Sequence, residues 1–148
     1  MQYYNFDVTL TDVPSEISLA FSMAGCSLGC NGCFWKPLKN AETFELTNES
    51  YIAKLNRYEN LISCILFYGG EWHEKELISK LKIAKLHGLK TCLYTGRQTV
   101  SASIISHLDF LKTGRYREQF GGLANPNTNQ KFINVITGEN LTSLFWKI

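Results

Sequence analysis

Three of the five cysteines are crowded into eight residues of the chain, at Cys26, Cys30 and Cys33, in the spacing C-x3-C-x2-C. Thiolates are the usual ligands of iron–sulfur clusters, and three of them on a short loop can hold three corners of a cubane cluster. Gly29 and Gly32 would allow the backbone to wrap closely around such a core. Because no fourth cysteine is near in sequence, one iron would stay open to a small molecule. The spacing therefore predicts a 4Fe-4S cluster.

A structural zinc ion is the alternative for these cysteines. Zinc requires four tetrahedral ligands, which are commonly supplied by two C-x2-C pairs. The next histidine, His73, follows Cys33 by forty residues, and the sequence has no second pair. Cys64 and Cys92 lie within strands predicted over residues 61–67 and 89–94, where a thiol is usually an inert core group. The spacing favours iron–sulfur, and a non-enzymatic zinc-binding interaction module stays open as an alternative of another class.

Length and composition restrict the type of protein. The 148 residues suit a single domain over 1–148, well below the roughly 250 of a complete eight-stranded α/β barrel. Fifteen Lys and Arg against thirteen Asp and Glu give a net charge of +2, too even to indicate a nucleic-acid or membrane surface. No apolar run approaches the roughly 20 residues of a membrane span, and the start lacks a signal-peptide pattern. We therefore expect a soluble cytoplasmic protein with neither nucleic acid nor membrane as partner.

Strand and helix patterns alternate along most of the chain. Strands are predicted over residues 3–10, 17–23, 61–67, 89–94, 108–112 and 131–137, and helices over 47–58, 74–87 and 100–107. The helix near residue 47 is predicted to be capped by Thr47 and the next to stop at Gly88. From residue 17 onward the alternation predicts an α/β protein with a parallel sheet covered by helices. The length permits an open, partial βα barrel.

The carboxyl ends of parallel strands meet at one edge of a sheet, which is where such sheets bind ligands. We call this edge the rim; it comprises the loops after Met23, Phe67, Tyr94 and Lys112. The cysteine segment follows the first of these strands directly. The sequence therefore predicts that the residues suited to chemistry lie together on the rim.

Two other rim loops carry residues suited to a charged ligand. Gly69 and Gly70 would let the backbone approach a ligand closely, and Glu71 could hold an ammonium group. Lys112 or Arg115 could pair with a carboxylate. Each feature also has an ordinary alternative, since glycine turns are common, Glu71 could simply begin a helix, and either cation could be a solvated charge at a strand end.

The cysteine spacing after a first barrel strand resembles the signature of the radical S-adenosylmethionine superfamily. Gly69-Gly70-Glu71 matches that superfamily's second motif, which receives the methionine amino group. Thr95-Gly96-Arg97 resembles a turn at the equivalent place in its activating enzymes. The resemblance implies that the open iron chelates S-adenosylmethionine. An electron from the reduced cluster would then cleave the sulfonium, giving methionine and a 5′-deoxyadenosyl radical that abstracts a hydrogen atom.

The same resemblance implies a set of site residues. The cluster ligands would be Cys26, Cys30 and Cys33, and the groups that bind S-adenosylmethionine would be Gly69, Gly70, Glu71, Thr95 and Lys112. No catalytic side chain beyond the cluster and this cofactor is implied. The implied fold is the partial βα barrel of this superfamily.

The most specific likeness lies near the end of the chain, in the segment GGLANPNTNQK over residues 121–131. Similar segments occur in the activating proteins of anaerobic ribonucleoside-triphosphate reductases, as do EISLAFS at 16–22 and DFLKTGRY at 109–116. The likeness covers the chain from about Tyr3 to Trp146, and Phe34-Trp35 is a local variation beside the last cysteine. It implies a glycyl-radical activase whose partners are the reductase large subunit and a flavodoxin- or ferredoxin-type electron donor. A radical S-adenosylmethionine enzyme acting on a small molecule stays open as an alternative.

The loop from Gly121 to Gln130 has two possible roles. It contains one sizeable apolar residue, Leu123, so its ordering must be offset by hydrogen bonds or by binding. Its amide side chains are suited to pairing with the backbone of a protein partner; they belong to Asn125, Asn127, Asn129 and Gln130. The alternative is a turn that packs on the chain's own sheet.

Overall fold

A computed structural model describes residues 1–25 and 41–146 of the chain. Over these residues the strands are β1 Gln2–Thr9, β2 Ser18–Met23, β3 Phe44–Glu45, β4 Cys64–Tyr68, β5 Lys90–Tyr94, β6 Phe110–Thr113 and β7 Lys131–Asn134. The α-helices are α1 Asn48–Arg57, α2 Glu74–Leu86 and α3 Ala102–Ile105. Short 3-10 helices cover Glu71–His73 and Thr142–Phe145. Within the same residues, no helix combines the length and the apolar character needed to cross a bilayer.

The strands form one mixed sheet in the order β3-β1-β2-β4-β5-β6-β7. The four central strands, β2, β4, β5 and β6, are parallel, which confirms the predicted α/β class and its parallel core. Strand β1 runs antiparallel to β2 because only the eight residues 10–17 connect them, fewer than a parallel crossover requires. Strand β7 is likewise antiparallel to β6. The partial barrel stays a prediction.

The two faces of the sheet are covered differently. One face, here called the helix face, packs against all three helices; its strand residues include Leu19, Phe21, Ile65, Phe67, Leu93 and Leu111. The opposite face buries Ala20, Leu66, Cys92, Phe110 and Phe132, and it is covered by residues from connecting segments, namely Val13, Leu123, Leu141 and Phe145. Both faces of β4 are therefore buried, as its continuous apolar run predicts.

Local side-chain bonds explain where several elements begin and end. Thr47 caps α1 as predicted, since its Oγ1 accepts a hydrogen bond from the Ser50 amide at 3.0 Å. The strand predicted from Leu61 begins only at Cys64, because the Leu61 and Ile62 amides both donate to the Tyr58 carbonyl and complete the turn after α1. The last strand ends at Asn134 rather than at residue 137, because the Asn134 side chain accepts hydrogen bonds from the amides of Ile136 and Thr137 and closes a turn there. The third helix is shorter than predicted and is capped by a serine.

Candidate functional site

The register of the parallel strands brings the predicted rim loops together. Ser22 pairs with Tyr68, Tyr68 with Tyr94, and Tyr94 with Lys112, so all four strands end at the same level. Backbone bonds continue past the strand ends, from the Gly69 amide to the Tyr94 carbonyl at 2.8 Å and from the amide after Tyr94 to the Lys112 carbonyl at 2.9 Å. The prediction that these four strands end at one edge is confirmed, and the cysteine loop beyond Gly25 lies outside the described residues.

Glu71 presents a buried carboxylate on this rim. Its side chain is 6% exposed, so it is not the exposed charge of an ordinary helix start. Oε1 accepts a hydrogen bond from Thr95 Oγ1 at 2.6 Å, and Arg97 Nε lies 3.7 Å from the same oxygen. Oε2 is buried without a hydrogen-bond partner among the described residues. A buried carboxylate oxygen without a donor is costly, and a cationic ligand with N–H groups would satisfy it.

Thr95 holds the Glu71 carboxylate in place. The threonine is 1% exposed, and its hydroxyl donates to Glu71 while accepting from the Arg97 amide at 3.1 Å. Both hydrogen-bonding roles of the hydroxyl are therefore used within this turn. Among the predicted site residues, Thr95 and Glu71 are brought into direct contact.

Lys112 connects two rim loops. Its ammonium donates to the carbonyl of Thr95 at 3.3 Å and to that of Gly114 at 2.9 Å, and it lies 5.8 Å from the centroid of the Tyr94 ring. The residue is 7% exposed. Lys112 is therefore not a solvated charge at a strand end. Its hydrogen bonds to the two backbone carbonyls hold the loops after β5 and β6 in place relative to each other.

The two glycines of the motif serve the turn and its packing. Gly69 and Gly70 have φ values of 88° and 107°, a region that side-chain-bearing residues rarely adopt. A Cβ on Gly69 would lie 2.5 Å from Cη2 of Trp72, and one on Gly70 would lie 3.2 Å from Cε of Met1. The space beside both glycines is therefore filled by this chain's own side chains, a role that the sequence pattern alone did not indicate.

The Gly69 geometry predicts a measurable difference between two glycine substitutions. Gly69→Ala should be more destabilising than Gly88→Ala, because both positions have positive φ but only Gly69 faces a neighbour within 4 Å. We expect a loss of about 1–2 kcal/mol from backbone strain at Gly88 and about 1–3 kcal/mol more from overpacking at Gly69. Urea denaturation of the metal-free chain measures both values. Equal losses would show that the indole moves aside without cost.

Two groups that the sequence analysis missed also lie at the strand ends. Trp72 donates from Nε1 to the Ala24 carbonyl at 2.9 Å. The only sequence signal for Trp72 is its place directly after the Gly-Gly-Glu motif.

On the opposite face of the sheet, the Tyr68 hydroxyl donates to the Asp12 side chain, and the Tyr94 hydroxyl donates to the Asp12 backbone carbonyl. Burial raises the pKa of both phenols, so they stay protonated and can only serve as neutral groups at ordinary pH.

The predicted cluster ligands Cys26, Cys30 and Cys33 lie outside the described residues. Cys64 and Cys92 are fully buried in β4 and β5. Burial raises the pKa of the Cys64 thiol to about 12 and that of Cys92 well above its usual value, so neither readily forms the thiolate that a metal requires. Residues 1–25 and 41–146 contain no group of three or more acidic, cysteine or histidine side chains able to hold a metal ion.

The loop from Gly121 to Gln130 is largely bonded to its own chain. Asn129 Nδ2 donates to the Arg115 carbonyl at 3.1 Å, and Gln130 Nε2 donates to the Gly114 carbonyl at 3.3 Å. These bonds favour packing on the chain's own sheet for the two residues. Asn125 and Asn127 are exposed and bonded to each other within the turn.

Comparisons with known proteins found no match for this chain among protein-family models, curated proteins or solved structures.

Proposed function

We propose that this chain is a radical S-adenosylmethionine activating enzyme that generates a glycyl radical on the large subunit of an anaerobic ribonucleoside-triphosphate reductase. The observation that carries the proposal is the buried Glu71 carboxylate, whose Oε2 has no partner among the described residues, on the rim where β2 ends. The cysteine segment begins two residues after Ala24, which lies on the same rim. The candidate cation-binding group is thus linked, through the neighbouring Trp72, to the backbone that precedes the cysteine segment.

The rim residues fit the amino-acid end of S-adenosylmethionine. An ammonium group can donate to the free oxygen of Glu71 and form a charge-assisted hydrogen bond. Thr95 holds the other oxygen of this carboxylate, so the acceptor is oriented before the ligand arrives. Lys112 fixes the adjoining loops and is the proposed contact for the ligand's carboxylate. Cys26, Cys30 and Cys33 would hold the 4Fe-4S cluster.

A cluster held by these cysteines would supply the electron for cleavage of the sulfonium, and the resulting radical would remove a hydrogen atom. The chain's own residues orient the cofactor for that step through the contacts of Glu71, Thr95 and Lys112. Cysteines stay reduced and available as metal ligands in the cytoplasm, which favours that compartment for this protein. A flavodoxin- or ferredoxin-type protein is the proposed source of the electron.

The position of the helices on the sheet supports the proposal of a partial βα barrel. All three helices of the described residues lie on one face of the sheet, as in the outer layer of a βα barrel. We therefore include the partial barrel in the proposal. The hydrogen atom would come from a glycine Cα of the reductase, as the resemblance to glycyl-radical activases implies.

Metal analysis and cofactor cleavage test the proposal. Anaerobically purified protein should contain about four iron and four sulfide per chain. With S-adenosylmethionine and dithionite it should form methionine and 5′-deoxyadenosine in equal amounts. Zinc without iron or sulfide would contradict the proposal and indicate a zinc-binding module instead.

The role given to Thr95 can be tested separately. Thr95→Val keeps the shape of the side chain but removes the donor to Glu71 and the acceptor for the Arg97 amide, which should cost about 1–3 kcal/mol of stability. Thr91→Val is the matched control at the other end of β5, where the hydroxyl donates to the His107 carbonyl at 2.7 Å. Both variants should lose stability in urea, and only Thr95→Val should weaken S-adenosylmethionine binding. Equal affinity in both variants would remove Thr95 from the site.

A further inference from the structure

Trp72 joins two parts of the rim that are far apart in sequence. It directly follows Glu71, and its indole Nε1 donates to the carbonyl of Ala24 at 2.9 Å. The side chain also packs against the core on the helix face. Trp72 therefore links the backbone beside the candidate ammonium acceptor to the residue that follows β2.

Glycine backbone encloses the indole at both ends. A Cβ on Gly25 would lie 2.7 Å from Nε1, and a Cβ on Gly69 would lie 2.5 Å from Cη2 at the far side of the ring system. Both glycines have positive φ, 104° and 88°. The indole thus spans the gap between the backbone after β2 and the backbone after β4. Each of these segments has a glycine where it contacts the indole, and a side chain at either position would collide with the ring.

An aromatic ring system is rigid, so these contacts set a fixed spacing. If the Ala24 carbonyl moved away, the hydrogen bond would be lost, and if Gly25 moved closer, it would collide with the ring. The residue after Gly25 is Cys26, the first proposed cluster ligand. The backbone from which the cysteine segment starts is therefore held at a set distance from Gly69, two residues before Glu71.

We infer that Trp72 is a positioning residue that fixes the start of the cluster segment relative to Glu71, so that one molecule of S-adenosylmethionine can reach both. This inference rests on the proposed function. A small ligand that is held at two points tolerates little change in the distance between them, and a misplacement of about 1 Å can cost on the order of a hundredfold in a positioned reaction. In this role Trp72 does not contact the cofactor itself; it acts through the Ala24–Gly25 backbone and through the adjacent Glu71.

Trp72→Phe is the informative variant, because phenylalanine keeps much of the packing and removes the Nε1 donor. The matched control is Tyr51→Phe, which removes another side-chain donor to a backbone carbonyl, the bond from the Tyr51 hydroxyl to Lys80 at 3.0 Å in the helix layer. Both variants should fold, and Trp72→Phe should lose at least as much stability in urea as Tyr51→Phe, because it also removes ring atoms. A general effect of weakening the fold would therefore be seen in both.

Two measurements on these variants test the inference. Amide hydrogen exchange on the metal-free chain should show faster exchange at residues 23–25 in Trp72→Phe and no change there in Tyr51→Phe. After cluster reconstitution, iron content should match the wild type in both, and the Kd for S-adenosylmethionine should rise about three- to tenfold in Trp72→Phe only.

Unchanged exchange at residues 23–25 would overturn the inference, and so would faster exchange with wild-type affinity. Equal losses of affinity in the two variants would also overturn it. A wild-type chain that binds neither iron nor S-adenosylmethionine would instead overturn the proposed function, and the inference with it.

Discussion

Replacing Cys26, Cys30 or Cys33 by Ala is expected to reduce the iron and sulfide content of the anaerobically reconstituted protein to background. Each substitution removes one of three thiolates, and a cubane held by two protein ligands is not retained. S-adenosylmethionine cleavage should fall to background in the same variants. Iron and sulfide analysis, with the absorbance of the cluster, measures the effect.

Cys64→Ala and Cys92→Ala are the matched controls for the cysteine series. Both thiols are fully buried in the sheet, so these variants should keep the wild-type iron content. Their cost is a small core cavity, about 1 kcal/mol in urea denaturation. A Cys64 or Cys92 variant that folds normally and loses its iron would overturn the ligand assignment.

Glu71→Gln is expected to raise the Kd for S-adenosylmethionine by about 10- to 100-fold while leaving the iron content unchanged. The glutamine carbonyl can still accept the hydrogen bond from Thr95, so the side chain should keep its place while the negative charge is lost. The expected size follows from a charge-assisted hydrogen bond of about 1.5–3 kcal/mol. Equilibrium binding to the reconstituted protein measures it.

Glu74→Gln provides the control for charge alone. Glu74 is exposed at the start of α2 and accepts a hydrogen bond from Ser101, and its substitution removes the same charge three residues away. The affinity of the Glu74→Gln variant for S-adenosylmethionine should equal that of the wild type. If Glu71→Gln behaves in the same way, Glu71 does not contact the cofactor.

The parallel core and its rim could be predicted from sequence because each depends on a local pattern. The continuous apolar run at residues 61–67, the strand pattern at 89–94 and the helix signals at Thr47 and Gly88 define the alternation. Parallel strands then place their carboxyl ends together whatever the side chains are. The direction of β7 was not predictable in this way, because its residue pattern is the same for either direction.

The contacts within the rim could not be predicted because they join residues distant in the chain. The sequence placed Glu71 and Thr95 on one rim, but the bond between them depends on rotamers set by the surrounding fold. Trp72 and its partner Ala24 are 48 residues apart. The amides of Asn129 and Gln130 illustrate a different limit, since the same donors could satisfy a partner's backbone or the chain's own carbonyls.

Electron paramagnetic resonance on a mixture with the reductase tests the central claim most directly. The chain, the anaerobic ribonucleoside-triphosphate reductase large subunit, S-adenosylmethionine and a reductant are incubated without oxygen, and the radical on the reductase is recorded. A glycine that has lost one Cα hydrogen keeps the other, so the account predicts a doublet that collapses to a singlet when the reductase contains α-deuterated glycine. Formation of 5′-deoxyadenosine with no such radical on the reductase would contradict the account.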